Sequence, residues 1–177
     1  MRITGGKYRG RTVVCPPGVI RPAMDRMRES LFSILGPMEG FSFLDLFSGS
    51  GLVGIEAASR GCFPVHLVEM DGKKRKTINN NMSMVETDIR LYLMSVQKFC
   101  HLAPQSYDVV YADPPFPMKG KDTLSNLVIQ SELVKADGLY IIHYPREDTL
   151  PDTLGRFSCY DDRKYGRSLL RFYAIPK

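Results

Sequence analysis

The stretch Phe43–Glu69, FLDLFSGSGLVGIEAASRGCFPVHLVE, constrains the chain more than any other. Phe43–Leu46 and Val65–Val68 are short apolar runs with the length of buried strands. Between them Gly51–Arg60 carries Leu52, Val53, Ile55 and Ala57 at helix-compatible positions and stops at Gly61, a normal helix C′ residue. Strand, helix and strand of this length form a right-handed βαβ crossover. The turn Gly49-Ser50-Gly51-Leu52-Val53-Gly54 matches G-x-G-x-x-G, and Glu69 ends the second run, where such a fingerprint carries its acid. A unit of this kind grips a nucleoside: the glycines let backbone approach the ligand, and the acid accepts from ribose hydroxyls.

The glycines alone would fit a dinucleotide, but Asp45 argues otherwise. It stands just before the turn, where its carboxylate would repel a pyrophosphate and attract a cation. S-adenosylmethionine has an ammonium and a sulfonium and no phosphate, so it fits this stretch better than a nicotinamide cofactor.

A second constellation is Asp113-Pro114-Pro115-Phe116, directly after the apolar run Tyr107–Ala112. Two prolines remove two backbone donors and stiffen the loop, which then offers carbonyl oxygens. A carboxylate beside a carbonyl suits a planar NH₂ group, and the aromatic ring can stack on the base that bears it.

Charge is distributed unevenly. Residues 1–30 carry seven basic side chains (Arg2, Lys7, Arg9, Arg11, Arg21, Arg26, Arg28) against Asp25 and Glu29. The rest of the chain is neutral in sum, so the whole net charge of +5 belongs to this segment. A basic patch beside a nucleoside site points to a polyanion such as nucleic acid. No apolar run reaches membrane-span length, the N-terminus lacks a signal-peptide core, and the four cysteines are far apart, so a cytoplasmic protein with reduced thiols is expected. His66, His101 and His143 have no metal-ligand spacing, and no metal is expected. At 177 residues a single domain is expected.

Along the chain, residues 1–14 read as a β-hairpin with a glycine-rich basic loop, and Asp25–Leu35 as a helix ended by Gly36-Pro37. Lys73–Met82 is a helix, Ile89–Met94 a third strand, Val96–Cys100 a short helix, and Tyr107–Ala112 a fourth strand. Thr123–Ser131 is helical, Gly138–Ile142 is a fifth strand, and Phe157–Tyr160 with Ser168–Ile175 closes the chain as an antiparallel hairpin. The alternation predicts a doubly wound α/β sheet, with Asp45, Glu69 and Asp113 at carboxyl ends of strands where ligands bind.

Asp45-Leu-Phe-Ser-Gly-Ser-Gly, Glu69 and Asp113-Pro-Pro-Phe resemble the motifs of class I S-adenosylmethionine-dependent methyltransferases, in the branch that methylates amino groups. Met1-Arg-Ile-Thr-Gly-Gly-Lys-Tyr-Arg-Gly-Arg, Arg21-Pro22, Asp25-Arg-Met-Arg-Glu-Ser-Leu-Phe-Ser-Ile-Leu35 and Lys164-Tyr-Gly-Arg-Ser-Leu-Leu-Arg-Phe-Tyr narrow the resemblance. They are similar to bacterial 16S rRNA guanine-N2 methyltransferases of the RsmD type. The resemblance implies a Rossmann-like, mostly parallel seven-stranded sheet with a C-terminal antiparallel hairpin, and residues 1–36 as a basic extension. It implies S-adenosylmethionine as cofactor, with Asp45, Phe47, Gly49, Gly51, Glu69, Met70 and Ser95 around it. Asp113 and Pro114 would hold the guanine amino group and Phe116 would stack on the base. Lys7, Arg9, Arg11, Arg21 and Arg28 would meet 16S rRNA, free or in the small ribosomal subunit, with the protein acting as a monomer. The chain departs from the family at Ser95, where an acid usually reads adenine, at Phe116, where tyrosine is commoner, and at His143, where glutamate is frequent.

Hydrogen bonds from the guanine amine to Asp113 and the Pro114 carbonyl would turn its conjugated lone pair toward the methyl group, so catalysis would rest on positioning and electrostatics. The base must be splayed out to reach the pocket. Rival readings are an N6-adenine methyltransferase on DNA or RNA, a protein-glutamine methyltransferase, and a non-catalytic RNA-binding module of the same fold.

Overall fold

The computed structural model describes residues 1–15 and 22–177. Its elements, in chain order, are α1 (Pro22–Leu35), β1 (Phe43–Leu46), α2 (Leu52–Ser59), β2 (Val65–Glu69), a 3₁₀ turn (Gly72–Lys74), α3 (Arg75–Met82), β3 (Ile89–Leu93), α4 (Val96–Leu102), β4 (Tyr107–Ala112), α5 (Lys121–Gln130), β5 (Val134–Pro145), β6 (Thr153–Leu154), β7 (Phe157–Tyr165) and β8 (Ser168–Ala174).

The eight strands form one sheet in the order β3-β2-β1-β4-β5-β8-β7-β6. Neighbours from β3 through β5 run parallel, while β8 pairs antiparallel with both β5 and β7. The chain winds outward from β1 to β3 and returns to place β4 on the other side of β1. That reversal opens a crevice beyond the carboxyl ends of β1 and β4.

Both faces of the sheet are covered, which is why its central strands read as nearly unbroken apolar runs. Phe43, Val65, Leu67, Val109, Tyr111 and Ile141 pack toward α1, α2 and α3 with Met27, Leu31, Phe32 and Ile78. Leu44, Leu46, Val68, Val110, Ala112 and Ile142 face α4 and α5 with Phe99, Leu124 and Val128. Adjacent strand residues thus serve opposite layers, as the pleat requires.

The Rossmann-like architecture agrees with the sequence reading, and β6 adds a two-residue eighth strand. β5 runs longer than expected at both ends, because β4 pairs with it at Val134 and β8 pairs with it from Tyr140 to Pro145. Its pairing with β4 shifts register between Tyr107 and Val109. There a Cβ on Gly138 would lie 2.8 Å from the Asp108 carbonyl oxygen.

The N-terminal hairpin is small. Arg2 and Thr12 form one bridge, flanked by the Ile3 N–H donating to the Arg11 carbonyl at 3.0 Å and the Val13 N–H to the Met1 carbonyl at 2.7 Å. Ile3, Tyr8 and Val13 bury themselves against Leu52 and Ile55 of α2. A buried acid anchors this contact. Glu56 of α2 is 0% exposed and accepts from Arg28 Nε at 2.6 Å, Arg60 Nη2 at 3.1 Å and the Thr4 N–H at 3.2 Å. Arg28 Nη2 in turn donates to the Arg2 carbonyl at 2.7 Å, so hairpin, α1 and α2 share one ionic knot.

Removing one member of a buried ion pair leaves the other charge uncompensated, at roughly 3–5 kcal/mol. Glu56→Ala is therefore expected to destabilise the fold by about that amount in urea unfolding. A loss under ~1 kcal/mol, the size of a surface pair, would show that the knot is not structural.

Candidate active site

Register builds the site. Leu46 lies opposite both Val68 and Ala112, and Ala112 lies opposite Ile142. The next residue on each strand or its exit, Phe47, Glu69, Asp113 and His143, therefore emerges at one level. All four line a single cleft of about 620 Å³, within the range of small-molecule sites. Gly49, Met70, Pro114 and Phe116 line the same cleft, and Met24, Gln97, Met118 and Ser168 are also part of its wall.

The nucleoside-binding half is held by backbone donors. Glu69 Oε2 accepts from the Gly49 N–H and Oε1 from the Asp71 N–H, each at 2.9 Å, with Lys74 Nζ 3.4 Å from Oε2. The carboxylate is thereby fixed across the mouth of the glycine turn. Phe47 enters that turn at φ 61°, a left-handed conformation uncommon for a non-glycine residue and characteristic of functional turns. Met70 is 70% exposed at the rim.

Asp45 and Gly51 lie behind the turn and do not line the cleft. Gly51 caps α2 with φ 80°, which its lack of a side chain permits. Asp45 is buried, and its Oδ2 accepts from the Gly54 N–H at 2.9 Å. A Cβ on Gly54 would come within 2.1 Å of Leu67, so only glycine lets α2 settle onto this carboxylate. Burial pushes the Asp45 carboxyl well above the usual carboxylate range. The Gly54 hydrogen bond opposes the rise, and the charges of Asp113 and Glu69 add to it. Such a group gains from a nearby cation.

Ser95 is elsewhere. Its Oγ accepts from the Lys98 N–H at 3.2 Å and caps α4, and Ser95, expected beside the cofactor, is not among the residues that line the cleft. An N-cap serine satisfies a helix's orphan donor, a local demand that outweighs projection into the cleft. From the same helix Gln97 lines the cleft instead, a residue the sequence did not single out.

The other half of the cleft is the loop after β4. Asp113 Oδ1 lies 2.7 Å from His143 Nδ1, and the Phe116 ring meets the imidazole edge-on at 5.1 Å. Below the loop, buried Lys121 donates from Nζ to the carbonyls of Phe116 at 2.9 Å and Met118 at 2.7 Å, and pairs with Asp148 at 2.5 Å. One ammonium thus pins the loop that carries Asp113. Neither the histidine contact nor this staple could be read from spacing, because their partners come from elements distant in the chain.

The basic residues divide. Lys7, Arg9 and Arg11 are exposed on the hairpin, with Lys7 paired to Glu86 at 2.5 Å and Arg11 over the Tyr8 ring at 5.2 Å. The Lys7 N–H donates to the Ser59 carbonyl at 2.7 Å, which sets the hairpin tip at the far end of α2 from the glycine turn, about 12 Å away along the helix. Arg28, expected as an RNA contact, is buried at 3% exposure and fully engaged by Glu56, Asp25 and the Arg2 carbonyl. A guanidinium held in that knot does not face a polyanion, so the structure withdraws it. Arg21 lies outside the described residues.

The chain is similar to known proteins over nearly its whole length. A family model described as conserved hypothetical protein 95 matches residues 1–174. The Escherichia coli K12 protein named ribosomal RNA small subunit methyltransferase D is 30% identical over 177 residues, covering 98% of this chain and 89% of its own. YlbH of Bacillus subtilis 168 is 30% identical over 180 residues that cover 98% of both chains. A solved structure, a hypothetical protein of Thermus thermophilus, matches with a TM-score of 0.86 at 32% identity and covers 99% of both chains.

The raised Asp45 carboxyl makes a prediction with a definite sign. A group whose folded pKa exceeds its unfolded one supports the fold at low pH and loses that support as pH rises through the folded value. Asp45→Asn keeps an acceptor for Gly54 and carries no charge. The ligand-free variant should gain on the parent as pH rises from acid to alkaline, in melting temperature or urea midpoint. Parallel stability–pH curves would contradict the buried-charge account.

Proposed function

The chain belongs to the RsmD-type family of class I methyltransferases, and on that premise we propose that it methylates the exocyclic N2 amino group of a guanine in 16S rRNA with S-adenosylmethionine as cofactor. The observation that carries the proposal is the shared cleft, in which Glu69 and the glycine turn stand opposite the Asp113-Pro114-Pro115-Phe116 loop.

The residues fit the cofactor. Glu69, fixed by two backbone N–H groups, keeps lone pairs for ribose hydroxyls. Asp45 bonds through Oδ2 alone among the described residues, which leaves Oδ1 for an ammonium. A positive ligand would also relieve the mutual repulsion of Asp45, Asp113 and Glu69. When bound, S-adenosylmethionine supplies an electrophilic methyl on a sulfonium.

The chain's own residues do the rest. Asp113 uses Oδ1 for His143, and its Oδ2 accepts one amine N–H of the guanine while the Pro114 carbonyl accepts the other. These bonds orient the nitrogen lone pair toward the methyl group and need no strong base. Lys121 keeps the loop from drifting by holding the carbonyls of Phe116 and Met118. The proline-rich wall excludes water from one side of the cleft. The substrate is the small-subunit rRNA, free or in an assembling particle, approached by a cytoplasmic monomer, and Arg9 and Arg11 supply phosphate contacts.

Two experiments test this reading. Incubating small-subunit rRNA from a strain lacking this gene with protein and cofactor should yield N2-methylguanosine by nucleoside mass spectrometry. Asp113→Ala should lower the rate at least about 100-fold with cofactor affinity nearly unchanged. N6-methyladenosine as product, or full activity in the variant, would refute it. In the second, Arg9→Ala/Arg11→Ala should flatten the log–log salt dependence of rRNA binding by about 1.5 units, since each lost phosphate contact removes ~0.7–0.9. An unchanged slope would take the hairpin out of the RNA interface.

A further inference from the structure

The proposed chemistry puts the cofactor at Glu69 and the glycine turn, on the β2 side of the cleft, and the target base at Asp113, on the β4–β5 side. An RNA strand that delivers a base to Asp113 is then carried past β5, toward β8 and β7. Register brings that ground level with the cleft mouth. Pro145 of β5 lies opposite Ser168 of β8, and Ser168 lies opposite Tyr165 of β7. Ser168 itself lines the cleft. Two strand spacings, roughly 10 Å, separate β5 from β7.

A small pocket of about 280 Å³ opens there, bordered by Arg26 of α1 and by Lys164, Tyr165 and Gly166 at the β7–β8 turn. The same end of α1 gives Met24 to the cleft. The pocket has a fixed floor. Tyr165 is half-buried against the core, and its hydroxyl shares a hydrogen bond with that of Ser30, one turn along α1 from Arg26. Gly166 turns the chain at φ 65°, and a Cβ there would meet nothing within 4 Å, so the backbone lies open to a ligand.

Arg26 and Lys164 are exposed, and neither has an ion pair among the described residues. Their basic neighbours differ. Arg28 is held by Glu56, Arg163 by Asp161 at 2.8 Å, Arg167 by Glu147 at 2.8 Å and Arg171 by Asp162 at 2.7 Å. A cation paired to a carboxylate must release it to meet a phosphate, whereas Arg26 and Lys164 need not. Lys73, Arg75 and Lys76 are also exposed, but they follow Lys74 beside the nucleoside half of the cleft.

We propose that Arg26 and Lys164 bind RNA phosphates beside the splayed guanine, so that the β7–β8 turn and the start of α1 carry the strand next to the cleft. This rests on the proposed rRNA chemistry and names the surface that serves it. A base drawn out of its stack is delivered by its own backbone, and phosphate contacts are what fix the position of that backbone. Arg9 and Arg11, at the far end of α2, would meet a more distant part of the RNA.

The test measures binding of small-subunit rRNA from a strain lacking this gene across a salt series, for the parent, Arg26→Ala/Lys164→Ala, Lys164→Arg and Arg156→Ala. Arg156 is the control: it is exposed at the opposite end of the nine-residue β7, about 30 Å from Tyr165. The double variant should flatten the log–log slope by about 1.5 units, since each lost phosphate contact removes ~0.7–0.9, and should weaken cognate and unrelated RNA alike. Lys164→Arg and Arg156→Ala should keep the parent slope. Every variant should bind S-adenosylmethionine as the parent does, which shows the cleft intact.

Once the target position is mapped, a neutral methylphosphonate at one of its flanking phosphates should weaken the parent and leave the double variant no worse, the non-additivity expected of partners in contact. An unchanged slope in the double variant, an equal flattening by Arg156→Ala, or additive losses at every flanking phosphate would overturn the inference. A parent that makes no N2-methylguanosine, while the double variant still flattens the slope, would refute the chemistry and leave this RNA surface standing.

Discussion

The parallel register across β2, β1, β4 and β5 is the constraint on which the rest depends. Leu46 faces Val68 and Ala112, and Ala112 faces Ile142, so four strand exits fall on one line. A slip of one residue would exchange the faces of Leu44 and Asp45 and send the carboxylates into a helical layer. The register is strongly specified because both faces are buried, with Phe43 and Leu44 serving different cores. The cleft is thus a product of packing before it is a product of chemistry.

Electrostatics then gives the cleft its character. Asp45, Glu69 and Asp113 approach one another at the strand ends, and the most buried of them resists ionisation. The fold tolerates this because Gly54 and Gly49 donate backbone N–H groups to the acids. Stability is sacrificed where a cationic ligand can restore it. The basic surplus of the N-terminal segment has the opposite fate. Arg28 is committed to the Glu56 knot and Lys7 to Glu86, so the exposed positive charge is smaller than the sequence total.

What could be read from sequence was what depends on neighbours. The β1–α2–β2 unit, its glycine turn and Glu69 are contiguous in the chain, and period and turn chemistry sufficed to place them. Asp113-Pro114-Pro115-Phe116 was legible because rigidity, charge and stacking sit on adjacent residues. Ser95 was ambiguous because a strand-end serine serves equally as a helix cap, which is the place the start of α4 gives it. Arg28 misled because charge along a sequence does not reveal which helix face meets a buried acid on a later helix. The roles of His143 and Lys121 were hidden for the same reason: they exist only once β5 and α5 are docked beside the Asp113 loop.

The central claim, that the strand ends form one cofactor and substrate cleft, is tested most directly by a crystal structure of the protein with S-adenosylhomocysteine. The account predicts the ribose hydroxyls on Glu69, the amino group toward Asp45, and the sulfur facing Asp113 across the cleft. A ligand bound elsewhere, or one that leaves Glu69 contacted only by Gly49, Asp71 and Lys74, would contradict it.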